Sequence, residues 1–570
     1  MSKTTKVRVL KALSVILVAN PIYIAFFGGF PNPDPLSKKT ITFIEGKIDL
    51  CVGNEQSKHD QCSRLKASTA PLRLVAVNAS NDDDSIQLAE TSGQRLQYAA
   101  LSYCWGSSKA ILSARTLKSN LQPRLHSFAL SSLPQTLQDS IIVARRLSIS
   151  YIWIDALCIV QDDLDEWAVE AARMMQYYKC AYITIVGTYA TSADEGFLSQ
   201  RPSYVHLALM DAWNDEPGST IHFSYPEYRN HSRHINDSTW NSRGWTLQER
   251  LLSGRVVFFT HYGTWFECRG GSWTDGQKHY SGDNPSTRFL PSASTLLQGK
   301  QIRVGSWGNH ASVMHQWYLI VQDYIQRHLT YDGDRLLAIS GIATNFSQYL
   351  KSDAYLVGLW KTDICRGLLW RKVQSWPQET TLYHRRPSDY PSWTWCSMNC
   401  KIFWIDMDSC VDCAKLVKVD EAAENENLYF RKDATLVMSG CIFNAGALSK
   451  SLLGMRITVC FDDDTHDRAI TNGYDILYDS ALEKLIPFSA MILVQEAWPK
   501  SVPLGRPVPI FKAHGILLQP ELGGSHSSQP VTRRFHRVGA FCIEISGNDD
   551  DLIKNFMIQL YQQKDTIRIN

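Results

Sequence analysis

The 570 residues hold no long run of Lys or Arg, and 58 basic side chains stand against 56 acidic ones. A dedicated nucleic-acid binder carries a basic excess or stripe, so nucleic acid is not an expected partner. The motifs of common enzyme classes are missing too. The chain has no Gly-rich dinucleotide fingerprint, no Walker loop, no Gly-x-Ser-x-Gly elbow and no His-Glu-x-x-His pair. No repeat array supplies self-contained recognition. The 14 cysteines are scattered, not packed into the framework of a small secreted domain, and most read as reduced buried thiols. Two loose groups have partial metal spacing: Cys396, Cys400, Cys410 and Cys413, and Cys51, His59 and Cys62. Cys396 lies inside the aromatic run "SWTWCS", an odd setting for a ligand, so no metal is expected.

What is present suffices for a large core. Apolar residues make up 44% of the chain and charged residues 20%, and the length allows about two to four domains. Seventeen tryptophans point to packed aromatic surfaces or ring-stacking sites. Residues 1–35 form a distinct segment. Lys3, Lys6, Arg8 and Lys11 precede the uncharged stretch 12–30, "ALSVILVANPIYIAFFGGF". Its length is marginal for a bilayer span and its basic flank suits a membrane anchor or signal. Asn20-Pro21 and Gly28-Gly29 interrupt it, which fits a buried hydrophobic segment equally well.

The region 41–260 reads as one domain with its informative part at 97–260. The strand "YAALSY" leads to a helix over "SSLPQTLQDSIIVARRLSI", with Ser131 or Ser132 as its cap and Leu137, Ile141 and Ala144 on one face. "YIWID" (151–155) follows as a buried strand. Asp163 and Glu166 then form a capping box before "WAVEAARMMQYY", and "AYITIVG" (181–187) is the next strand. Strands and helices alternating over short connections imply an α/β fold with a parallel sheet. Ligands of such sheets sit beyond the carboxyl ends of the strands. Ser102, Tyr103, Trp105 and Gly106 follow one strand end, and Asp155 closes another. A third cluster, "WNSRGWTLQERLLSGRVVFF" (240–259), places Trp245 and Glu249 four apart on a short helix, with Arg243 and Arg250 as ion-pair candidates. The bland reading of these residues is core packing, a turn cap and a surface ion pair. The region 261–570 reads as mixed α+β and strand-rich, with helices near 311–328 and 335–349.

"YAALSYCWG", "IWIDALCIVQDDLDEW" and "RGWTLQERLLSGRVVFF" resemble, in order, the defining blocks of the fungal heterokaryon-incompatibility (HET) domain. Val160 departs from the pattern, where the family commonly has Asn. The resemblance implies a cytoplasmic protein of fungal non-self recognition and programmed cell death. Such a protein acts as a signalling module by self-association or with an incompatibility or sensor partner, and here carries a candidate membrane attachment at 12–30. The order of motifs also resembles the TIR domain, which implies a TIR-like α/β sandwich. In TIR enzymes a glutamate of a Trp-x-x-x-Glu motif supports cleavage of the nicotinamide–ribose bond of NAD. The matching catalytic residue is Glu249, with Ser102, Tyr103, Trp105, Gly106, Asp155, Arg243 and Trp245 as ligand-binding candidates. NAD is then a substrate and no cofactor is implied. Residues 202–239 would be an insertion, and Glu195 is the rival glutamate without a tryptophan before it.

Overall fold

The computed structural model describes residues 23–24, 32–53, 70–78, 82–107, 109–201, 205–210, 217–224, 231–268, 271–275, 309–350, 353–373, 390–404, 410–420, 434–444, 455–461, 489–496, 509–521, 534–546 and 564–569. The chain divides into two compact units, 1–298 and 299–570.

The first unit is built on one sheet. Its strands are β1 (Arg73–Ala76), β2 (Ser85–Glu90), β3 (Ala99–Ser102), β4 (Phe128–Ala129), β5 (Tyr151–Trp153), β6 (Ile183–Gly187), β7 (Arg255–Thr260), β8 (Gly263–Cys268) and β9 (Gly271–Thr274). They lie in the order β9-β8-β7-β6-β3-β5-β1-β2-β4. The middle four, β5, β3, β6 and β7, are parallel. Antiparallel strands flank them on both sides. Helix α1 (Gln135–Arg146) joins β3 to β5, α2 (Leu164–Cys180) joins β5 to β6, and α3 (Gly244–Leu252) precedes β7. The parallel strands therefore read 2-1-3-4 in chain order, the doubly wound arrangement whose switch point lies between its first and third strands, here β3 and β6. All four residues of β3 and all five of β6 are buried. Such continuous apolar runs are what strands covered on both faces require.

The helix signals resolve unevenly. Leu137, Ile141 and Ala144 of α1 are buried, as their spacing implies. Its cap differs from the sequence expectation: Pro134 precedes the helix with no side-chain cap. Ser131 instead gives its amide (2.7 Å) and hydroxyl (2.8 Å) to the Asp84 carboxylate. The capping box of α2 is half made. Asp163 accepts from the Glu166 amide at 3.2 Å. Glu166 turns away to a two-pronged pair with Arg73 at 2.7 and 2.8 Å and accepts the Val160 amide at 2.9 Å. A partly buried guanidinium is the stronger donor, and the pair ties β1 to α2.

Within residues 202–239, strands Val205–Met210 and Pro217–Ser224 pair antiparallel, and Tyr23–Ile24 pairs along the second of them. The rest of the hydrophobic stretch 12–30 lies outside the described residues. No described helix is long and apolar enough to cross a membrane.

The second unit begins with the expected helices, at Asn309–Tyr324 and Leu337–Tyr349, and is otherwise strand-rich. Strands Ser489–Glu496, Pro509–Pro520, Arg534–Ser546, Lys564–Ile569 and Thr435–Asn444 pair in a closed ring, which removes free edges from those strands. Trp317, Trp360, Trp370, Trp393 and Trp395 are fully buried. The Gly358 carbonyl accepts the indole N–H of both Trp317 (3.2 Å) and Trp395 (2.8 Å). These tryptophans are core, not a stacking surface.

Candidate functional site

Ser102 ends β3 at the switch point. Its hydroxyl donates to Oε2 of Glu249 and accepts the indole N–H of Trp240 at 2.7 Å. Glu249 lies inside α3 and is only 7% exposed. α3 begins at Gly244, after the extended Arg243. Arg243 donates from its guanidinium to the Tyr103 carbonyl oxygen and spans from α3 to the strand end.

Three residues beyond Ser102, the chain reaches the second acid. Trp105 is half-buried and donates its indole N–H to Oδ2 of Asp155 at 2.9 Å. The rings of Tyr103 and Trp105 stack with centroids 6.5 Å apart. Asp155 does not end the strand β5 but opens a short helix, Asp155–Cys158, where Oδ1 accepts the Ala156 amide at 2.7 Å. The buried Tyr103 hydroxyl faces Asp155 without reaching hydrogen-bond geometry. Gly106 then turns the chain at φ 68°. A Cβ there would lie 2.6 Å from Cβ of Ser192, so glycine is what lets the loops after β3 and β6 touch.

Burial sets the electrostatics. It pushes the Glu249 carboxyl up to about 7, against the pull of the Ser102 bond and the Arg243 cation, with the Asp155 charge adding to the rise. Burial also raises Asp155, opposed by its bonds from Ala156 and Trp105 and by Arg243. The phenols of Tyr103 and Tyr178 and the thiol of Cys104 rise for the same first reason and stay neutral. Two carboxyls held above their ordinary range share one guanidinium. The Glu249 carboxyl can exchange a proton near neutrality, and the pair can face a developing positive charge.

The structure thus brings Ser102, Tyr103, Trp105, Asp155, Arg243 and Glu249 into one cluster. Trp245, four residues before Glu249, is half-buried, and Trp240 is the tryptophan bonded into the cluster through Ser102. Arg250 is not the partner of Glu249: it pairs with Glu267 of β8 at 2.8 and 3.1 Å. Glu195 is exposed and closes its own loop, accepting from the amide (2.8 Å) and hydroxyl of Thr191. Sequence reading missed Trp240 and Tyr178 as site residues. Trp240 opens the third motif, but its partner lies 138 residues earlier, a separation no local pattern reveals.

No group of His, Cys, Asp and Glu among the described residues is arranged to hold a metal. The Cys396 thiol points to the Val357 carbonyl at 3.9 Å, and His59 and Cys62 lie outside the described residues.

Fold and site together define a doubly wound α/β domain with paired acids at the carboxyl ends of its parallel strands. Residues 98–249 match the family model described as heterokaryon incompatibility protein (HET), a span that includes every residue of the cluster. The chain carries a HET domain. No curated protein and no solved structure matches it.

Proposed function

We propose that this heterokaryon-incompatibility-type protein acts in fungal non-self recognition and programmed cell death, and that its HET domain does so by cleaving the nicotinamide–ribose bond of NAD at Glu249. The observation that carries the reading is the enclosed Glu249 carboxyl at the switch point, bonded to Ser102 and within the fields of Asp155 and Arg243. Cleavage of an N-glycosidic bond builds positive charge on the ribose as nicotinamide departs. A carboxylate in a water-poor setting stabilises that charge. Water then adds to the ribose carbon and releases a proton, which a carboxyl titrating near neutrality can take up. The half-buried Trp105, its indole fixed by Asp155, offers a ring for stacking against a flat ligand.

A second reading is an assembly module working by self-association or on a sensor protein in the cytoplasm. The first turns of α2 favour it, with Leu164 80% exposed beside the exposed Trp167 and Val169. The test is NAD turnover by the purified full-length protein and by Glu249→Gln, alone and self-associated, beside their melting curves. Turnover lost in a folded variant supports catalysis. A wild type that leaves NAD intact in both states eliminates it and leaves the assembly role.

A further inference from the structure

We infer that Trp240 and Ser102 form a one-way hydrogen-bond relay that favours the carboxylate form of Glu249 against the cost of its burial. Trp240 is 0% exposed and Ser102 is 1% exposed. An indole N–H donates and never accepts. At 2.7 Å from Nε1 of Trp240, the Ser102 oxygen must therefore accept. Its single proton is left to point at Oε2 of Glu249. If Glu249 were instead protonated toward Ser102, the serine proton would have to leave this line, and the carboxylate form avoids that conflict. The relay thus has a fixed polarity set by the indole, not by the serine.

The other groups facing Glu249 do not supply this direction. From α2, the Tyr178 hydroxyl faces Glu249 and weakly favours its charge, the least of the causes acting on it, while its geometric hydrogen bond goes to the Leu101 carbonyl at 3.0 Å. Tyr103 and Cys104, after β3, are neutral and buried. Arg243, ahead of α3, favours the charge, and Asp155, from the short helix after β5, opposes it. Ser102 is the donor that touches the carboxylate, and Trp240 is a positioning residue that acts through it. The catalytic meaning of the relay rests on the reading of Glu249 given above; the relay itself does not.

The test is an infrared titration of the full-length protein. It follows the C=O stretch of the protonated carboxyl that disappears in Glu249→Gln. Ser102→Ala is expected to raise the midpoint of that band by about one pH unit, the scale of a hydrogen bond to a charged group. Ser102→Thr, which keeps the hydroxyl, should restore it. Trp240→Phe should raise the midpoint in the wild-type background and leave it unmoved in Ser102→Ala, because the chain is already cut there. An unchanged midpoint in Ser102→Ala overturns the relay, as does an equal effect of Trp240→Phe in both backgrounds. If Trp240→Phe does not fold, the Ala and Thr variants of Ser102 decide alone. NAD turnover measured on the same proteins reads catalysis separately, so a working relay in an inactive protein remains distinguishable from no relay.

Discussion

Glu249→Gln should make the protein more stable at pH 8 and change it much less at pH 5. Burial raises the Glu249 carboxyl from 4.5 to about 7. Between those limits the folded state keeps a proton that the unfolded chain has released. Stability from this group is complete below pH 4.5, falls as the pH climbs toward 7, and is flat above. At about 1.36 kcal/mol per pH unit, the full loss is about 3 kcal/mol. Glutamine has nearly the same shape and does not ionise, so it escapes that loss. It also offers Ser102 a weaker acceptor, but that offset does not depend on pH. The measurement is urea unfolding of wild type and variant at several pH values from 4.5 to 8, taken as a difference so that other titrations cancel. The expected difference grows by about 3 kcal/mol in favour of the variant and then levels. A flat difference, or one that favours wild type more as the pH rises, refutes the enclosed, raised carboxyl. A residue that costs stability in place and is removed with gain is the pattern of a functional side chain, not of a structural one.

Three further outcomes follow from the geometry. Gly106→Ala should cost about 1–3 kcal/mol, since it combines left-handed backbone with a 2.6 Å approach to Ser192; an unchanged melting temperature contradicts the touching loops. Trp105→Ala should abolish NAD turnover and cell death while the protein stays soluble, because the indole is half-exposed; aggregation would place it in the core, where such truncations cost about 3–5 kcal/mol. Arg250→Met should lower stability by about 3 kcal/mol by stranding Glu267, yet leave the Glu249 titration where it is; a shifted Glu249 midpoint would show that Arg250 belongs to the site.

The parallel core was legible because each of its parts is local. Apolar spacing marks α1, and the continuous apolar strands "AALS" and "ITIVG" mark buried positions. The order 2-1-3-4 is not written in any segment: it depends on which strands pair, and β3 sits in the middle although it comes first. The hairpin β8–β9 extends the sheet past residue 260, and its Glu267 captures Arg250. The capping errors share one cause. Ser131 and Glu166 have good local partners, but Asp84 and Arg73 arrive from far along the chain and compete better. Glu249 was found through its motif. Ser102, Asp155 and Arg243 were found beside it; Trp240 and Tyr178 were not, because they join the cluster only once β3 is laid between them.

The stretch that follows β3 shows how one short segment serves two acids. Side chains of an extended chain alternate between faces, and the alternation continues past the formal end of the strand. Ser102 and Cys104 point to one side, where Ser102 meets Glu249 and Cys104 packs with Trp240, Val186 and Phe258. Tyr103 and Trp105 point to the other, where Trp105 holds Asp155 and the Tyr103 hydroxyl faces the same carboxylate. The backbone between them is pinned by Arg243 on the Tyr103 carbonyl. A shift of the segment by one residue would exchange the two sets and strand both carboxyls. Gly106 prevents further extension by turning the chain against Ser192. The cluster of hydroxyl, phenol, thiol and indole is therefore ordered by the pleat itself. The guanidinium at the centre stands in the field of both acids, so a change in the charge of one is felt at the other.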